Sequence, residues 1–284
     1  FAREALVLAE LRHPGIVRYV THGTSPAGEP FLAMEWIDGE DLAQLLARGR
    51  PAAADVLLLA QRLAETLGAA HRQGVVHRDI KPSNVLLPGG DLAEARLLDF
   101  GIARLSRGAP ALTQAGRVLG TPGYMAPEQA RGDVAVDARA DVFSLGCVLF
   151  EALAGRPAFQ GEHALAVLAK ILLEEAPRLS TVVAGLPAPL EDLLARMLSK
   201  SPADRPIDGD AVAAALAALG PIDDAREPLS RAAPPSITIG ERRLLAVLLV
   251  KRAPHVTATR DTVAAWAPTD ASLDTVSASS TLDE

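Results

Sequence analysis

The sequence predicts an α+β fold in which a few strands come first and a mostly helical body follows. Three observations carry that expectation. Two short apolar runs near the start, "IVRYVTHGT" and "PFLAMEWID", flank a stretch rich in Gly, Pro and Ser, the pattern of a β-hairpin. A tight polar segment, "VVHRDIKPSNVLL" (75–87), lies between two apolar runs of strand length. From residue 139 onward, successive segments place apolar residues at helical spacing.

Taken in order, "REALVLAEL" (3–11) reads as an amphipathic helix that Pro14 and Gly15 bring to an end. The hairpin follows. "DLAQLLARG" is a short helix starting near Asp41 and closing at Gly49, and "AADVLLLAQRLAETLGAAHRQG" is a long one closed by Gly74. "ARLLDFGIA" (95–103) reads as another short apolar strand, and residues 104–130, rich in Gly, Pro and Thr, as loop. "RADVFSLGCVLFEALAG", "HALAVLAKILLEE", "LEDLLARMLSK" and "DAVAAALAALG" are the later helices. Beyond them, 220–236 is polar and Pro-rich, a linker, and 237–284 is expected to be a loosely ordered tail. No internal repeat of fixed period is visible.

Composition narrows the function classes. Hydrophobic residues make up 49% of the 284, enough for a sizeable core. A formal charge of −7 argues against a nucleic-acid partner, which calls for a basic face. The single cysteine, Cys147, excludes a disulfide within the chain and fits a reducing, cytoplasmic setting. No apolar run approaches the length of a membrane span, and no signal peptide is visible. The sequence opens on Phe, inside a helical pattern without a capping residue, so it reads as a piece of a longer protein.

The polar segment "HRDIKPSN" holds His77, Arg78 and Asp79, then Asn84 after a four-residue gap, the pattern of a protein-kinase catalytic loop. Phosphoryl transfer needs positioning and charge neutralisation more than covalent help. Asp79 sits where an acid should accept the hydroxyl proton of a substrate, Asn84 where a hard oxygen should hold Mg²⁺, and Lys81 can steady the transferring phosphate. "LLDFGIA" then carries Asp99, Phe100 and Gly101, matching the Mg²⁺-binding Asp-Phe-Gly motif. "GTPGYMAPEQA" (120–130) supplies Ala126, Pro127 and Glu128, the end of an activation segment.

With these motifs in this order, residues 1–219 resemble the protein kinase superfamily, most closely the bacterial serine/threonine kinases of the eukaryotic-like (Hanks) type. The resemblance implies a two-lobe kinase-like fold. An incomplete small lobe (1–37) would start at the helix called C, on an intact, mostly helical large lobe (38–219). It implies ATP and Mg²⁺ as cofactors and a Ser or Thr side chain of a protein as acceptor; the oligomeric state stays open. Met34 would guard the back of the adenine pocket, Glu35 and Ile37 would offer backbone groups to the adenine edge, Asp41 could bind the ribose, and Leu86 would lie under the ring. Asn84 and Asp99 would hold the metal. Thr121 would hydrogen-bond near Asp79 and Lys81. Glu128 would pair with Arg205 in "SPADRP", and Asp141 in "ADVFSLG" would accept hydrogen bonds from the catalytic-loop backbone. Asp141 could equally serve as an N-terminal cap. Arg78 is associated in the family with control by activation-loop phosphorylation, with Thr113 as the best acceptor and Ser106 a weaker one. Cys147 is expected to be plain buried core. His13 reads as structural, and His22, His71, His163 and His255 have no metal-site spacing.

Two further expectations concern what the sequence lacks. No Gly-rich phosphate loop and no strand lysine precede Phe1, so Glu4, which matches the helix C glutamate, has no ion-pair mate here. Either the chain is part of an active kinase, or it is a kinase-like module that acts as a binding scaffold. "ERRLLAVLLVKRAP" resembles the first strand of a nucleotide-cyclase-like domain, but Lys251 and Arg252 stand where a metal-binding Asp is expected.

Overall fold

The computed structural model describes residues 9–25, 28, 30–98, 100 and 122–220. Glu4, Asp99, Gly101, Ser106, Thr113 and Thr121 lie outside the described residues, as do the body of the first predicted helix, the linker after Gly220 and the tail.

Strands β1 (Tyr19–Thr24) and β2 (Pro30–Met34) form the expected antiparallel hairpin, with Tyr19 opposite Met34 and an irregularity in register between Tyr19 and Thr21. A second, antiparallel sheet has the order β3 (Gly39–Asp41), β4 (Val85–Pro88), β5 (Arg96–Leu97). Between β3 and β4 run α1 (Leu42–Arg48) and α2 (Ala53–His71). The rest is helical: α3 (Pro127–Arg131), α4 (Ala138–Ala154), α5 (Ala164–Leu173), α6 (Ala188–Met197) and α7 (Gly209–Ala217).

Local chemistry explains the boundaries. Asp41 accepts the backbone N–H of Gln44 at 2.8 Å, and the Gln44 side chain accepts the Asp41 N–H at 3.3 Å, a reciprocal cap that starts α1. Asp137 and Asp208 cap α4 and α7 by one-way bonds, accepting the backbone N–H of Arg139 and Ala211 at 2.9 Å each. Gly155 ends α4 in the left-handed region at φ 73°. α2 buries Val56, Leu59, Ala60, Leu63, Ala64 and Leu67, spaced three and four apart, so one face meets the core. α4 buries almost every residue and runs through the middle of the helical body. α7 crosses α2 so closely that a Cβ at Gly209 would lie 2.4 Å from the Gly68 nitrogen, which only glycine permits. One continuous core runs from Leu11 to Leu216.

Three expectations need correction. Val75 and Val76 form no strand: the Val75 N–H bonds back to the Ala70 carbonyl at 3.0 Å, and the N–H groups of His77 and Arg78 go to the Asp141 carboxylate. Of the strand read at 95–103, the described residues 95–98 and 100 show strand only at Arg96–Leu97; the other positions lie outside the described residues. The stretch read as loop at 104–130 ends in α3, started by Pro127 at its first turn and stopped by Gly132 at φ 80°. Among the described residues, no helix is long and apolar enough to cross a membrane.

Candidate active site

The loop from His77 to Asn84 joins α2 to β4 and has no regular structure until a short 3₁₀ turn at Pro82–Asn84. Its backbone is held from a distance. Asp141, fully buried on α4, accepts the N–H of His77 through Oδ2 at 2.6 Å and that of Arg78 through Oδ1 at 2.7 Å. Arg78 sits at φ 65°, a left-handed conformation rare for a residue with a Cβ. The buried His77 ring donates from Nε2 to the Leu98 carbonyl at 2.8 Å, so Nδ1 is the acceptor for the Asp79 N–H at 3.3 Å. Phe100, itself buried, packs on that ring at 4.6 Å between centroids.

Three candidate catalytic side chains are thereby brought together. Lys81 Nζ donates to Asp79 Oδ2 at 2.8 Å. Asn84 Nδ2 donates to the same oxygen at 3.1 Å and to the Asp79 carbonyl at 2.8 Å. The Lys81 ammonium and the Asn84 amide therefore converge on one carboxylate oxygen. The Asn84 amide nitrogen is occupied on Asp79, which leaves its carbonyl oxygen as the hard donor for a cation.

The residues expected around an adenine ring flank this loop. Leu86 is half-buried in β4, two positions after Asn84, and pairs across the sheet with Asp41. Met34 is buried and Ile37 half-buried. The Glu35 N–H donates to the Arg18 carbonyl at 2.9 Å, so its carbonyl is the backbone group left for a ligand. Its carboxylate is turned to the other side, accepting Arg96 Nη1 and the Arg18 N–H at 3.0 Å each. Asp41 uses one carboxylate oxygen as the α1 cap.

The segment after the undescribed stretch docks on the helical body. Arg205 makes a two-pronged pair with Glu128, at 2.7 and 2.9 Å, with both side chains almost wholly buried. Its guanidinium also donates to the carbonyls of Ser199, Arg139 and Lys200 and lies over the Phe143 ring at 4.9 Å. Tyr124 donates to Glu151 at 2.5 Å, and Ser144 on α4 donates to the Tyr124 carbonyl at 2.7 Å. Burial holds the Glu151 carboxyl above the usual carboxylate range. Burial also pushes the Cys147 thiol up, which makes it a poor nucleophile and fits its reading as core.

Two residues that sequence reasoning passed over bear on the loop. His71, for which the sequence offered no metal-site spacing, is 3% exposed, donates to Asp141 Oδ2 at 3.0 Å and accepts the Gly209 N–H at 3.1 Å. Gln129 reaches the Arg78 carbonyl at 3.0 Å. These pairs lie 51 to 138 residues apart in sequence, and no local pattern marks them.

Comparison with known proteins now decides the family. The profile of the protein kinase domain matches residues 1–215. The chain belongs to the protein kinase family. It is 38% identical over 227 residues to the serine/threonine-protein kinase pkn3 of Myxococcus xanthus, covering 77% of this chain and 41% of that protein. It is 46% identical over 213 residues to the serine/threonine-protein kinase PkaA of Streptomyces coelicolor, covering 72% of this chain and 37% of that protein. It is 38% identical over 220 residues to the serine/threonine-protein kinase PknL of Mycobacterium tuberculosis, covering 77% and 54%. The resemblance to bacterial Hanks-type kinases is thus shown, and with it the mixed, mostly helical kinase fold. This kinase spans about half or less of the length of these relatives.

Proposed function

We propose that this chain carries the transfer of the ATP γ-phosphate to Ser or Thr side chains of proteins, in bacterial signalling. The observation that carries the reading is the convergence of Lys81 and Asn84 on the Asp79 carboxylate, in a loop fixed by Asp141. Asp79 accepts the hydroxyl proton of the acceptor. Lys81, 2.8 Å from Asp79, lies where it can hold the transferring phosphate beside that acid. The Asn84 carbonyl oxygen and, by its place in the motif, Asp99 fit Mg²⁺ as hard oxygen donors. Bound there, the ion would supply neutralisation of phosphate charge. Met34, the Glu35 carbonyl, Ile37 and Leu86 would line the adenine side, with Asp41 near the ribose. Arg78 and Thr113 would serve control by phosphorylation, and Thr121 would shape the acceptor pocket.

The test is phosphotransfer from labelled ATP to Ser/Thr substrates by the full-length protein. Asp79→Asn is expected to lower the rate by about 100- to 10,000-fold, the range for a positioned base. Turnover at the wild-type rate in that variant would remove Asp79 from its role.

A further inference from the structure

Arg78 is held in its left-handed conformation from both ends of its peptide groups. Its N–H is taken by Asp141 of α4 at 2.7 Å, and its carbonyl accepts Nε2 of Gln129 at 3.0 Å. Gln129 belongs to α3, the helix that follows the activation segment. Its other amide atom, Oε1, accepts the Ala126 N–H at 3.1 Å, which caps that helix. One amide thus ties the first turn of α3 to the peptide that precedes Asp79. The orientation of the amide is fixed, since one partner is a donor and the other an acceptor. A residue with a Cβ at φ 65° relaxes unless its surroundings hold it, and relaxation at Arg78 rotates the peptide that leads into Asp79.

We propose that Gln129 is a positioning residue for Asp79, through which the order of the α3 end of the activation segment is read by the catalytic loop. The inference rests on the kinase reading for its consequence in rate, but not for the contact itself. It requires the donor character of the Gln129 side chain and not merely its volume. A glutamate in its place keeps the shape and the acceptor for Ala126 but sets a carboxylate oxygen against the Arg78 carbonyl. Protonation of that glutamate restores a donor.

Gln129→Glu and Gln129→Met are compared with wild-type full-length protein in two ways. Hydrogen–deuterium exchange reads the Arg78 and Asp79 amides, and phosphotransfer reads kcat and KM for ATP. Both variants are expected to speed exchange at Arg78 and Asp79 by roughly 3- to 10-fold, the equivalent of one hydrogen bond. They are expected to lower kcat by about 10- to 100-fold with KM for ATP little changed, because misplacement affects the reacting group and not the nucleotide. For Gln129→Glu the loss relative to wild type should shrink as pH falls from about 7 towards about 4.5, through the ordinary glutamate range, and for Gln129→Met it should not. The titratable and charged groups of the loop and the elements packed on it, His77, Arg78, Asp79, Lys81, Glu128, Arg131, Asp141 and Arg205 among them, are common to all three proteins and cancel in the ratio. Loosened exchange at 126–131 with Arg78 and Asp79 unchanged would make Gln129 a helix cap only and overturn the proposal. Absence of transfer by the wild type would instead overturn the kinase reading, and the exchange result would still decide the contact.

Discussion

The β1–β2 hairpin buries Leu32 and Met34 while Val20 stays 42% exposed, whereas α4 buries thirteen of its seventeen residues. Polar contacts follow the same division. Beside the hairpin, Glu35 pairs with Arg18 and Arg96 in a half-open setting, with the Arg18 side chain 72% exposed. In the helical body, Arg205 and Glu128 pair at 0% and 6% exposure. The bonds that fix the catalytic loop come from the second region: Asp141 from α4, Gln129 from α3, and His71 braced by α7. In the proposed function the hairpin would contribute walls for a nucleotide; the helical body sets where Asp79, Lys81 and Asn84 stand.

The largest effect expected from this division is at the buried pair. Arg205→Ala leaves Glu128 charged, buried and unpaired and removes the donors that satisfy three carbonyls. A loss of about 3–5 kcal/mol in unfolding free energy is expected in denaturant titration. A loss below about 1 kcal/mol would show that the body does not depend on the pair. Next come paired truncations in the two regions. Leu63→Ala, in the fully buried face of α2, is expected to cost about 3–5 kcal/mol, and Leu32→Ala in the hairpin about 2 kcal/mol, since a strand at the surface can settle around the gap. Equal costs would erase the contrast. Smaller again is His71→Ala, which leaves Asp141 with one acceptor site unmet and the Gly209 N–H without its partner. About 1–3 kcal/mol is expected, together with faster amide exchange at His77 and Arg78.

How far the sequence revealed this arrangement depends on whether a contact is local. The hairpin, α1 starting near Asp41, α2 and the helices α4 to α7 were legible, because capping residues and apolar spacing act within a few residues. The grouping of Asp79, Lys81 and Asn84 was legible for the same reason, since they lie within six positions. The pairing of Glu128 with Arg205 spans 77 residues and could be anticipated only through family resemblance. His71 and Gln129 were not legible at all. An isolated histidine or glutamine gives no hint of a partner that only folding brings near. Val75 and Val76 misled for a related reason: apolar content suggested a strand, but their surroundings offered a helix cap and a buried aspartate in place of a neighbouring strand.

The smallest expected effect differs in sign between a carboxylate of the helical body and one at the edge of the second sheet. Burial raises the Glu151 carboxyl above its ordinary value, and the hydrogen bond from Tyr124 opposes this only in part. The folded state therefore holds a proton that the unfolded state has released. The stability from this group is fully present below the unfolded value and is lost as pH rises through the folded one. At Glu40 in β3 the order reverses. The Arg48 guanidinium hydrogen-bonds its carboxylate and lowers its pKa, so its contribution is present above the unfolded value and lost as pH falls. Urea titrations across pH 3 to 7 should show this as opposite slopes. Relative to wild type, Glu151→Gln should gain as pH rises above the ordinary glutamate range, and Glu40→Gln should lose its deficit as pH falls below it. Parallel curves for Glu151→Gln and wild type would mean that water reaches this carboxylate despite its burial. The helical body would then be less closed around Tyr124 than its packing indicates.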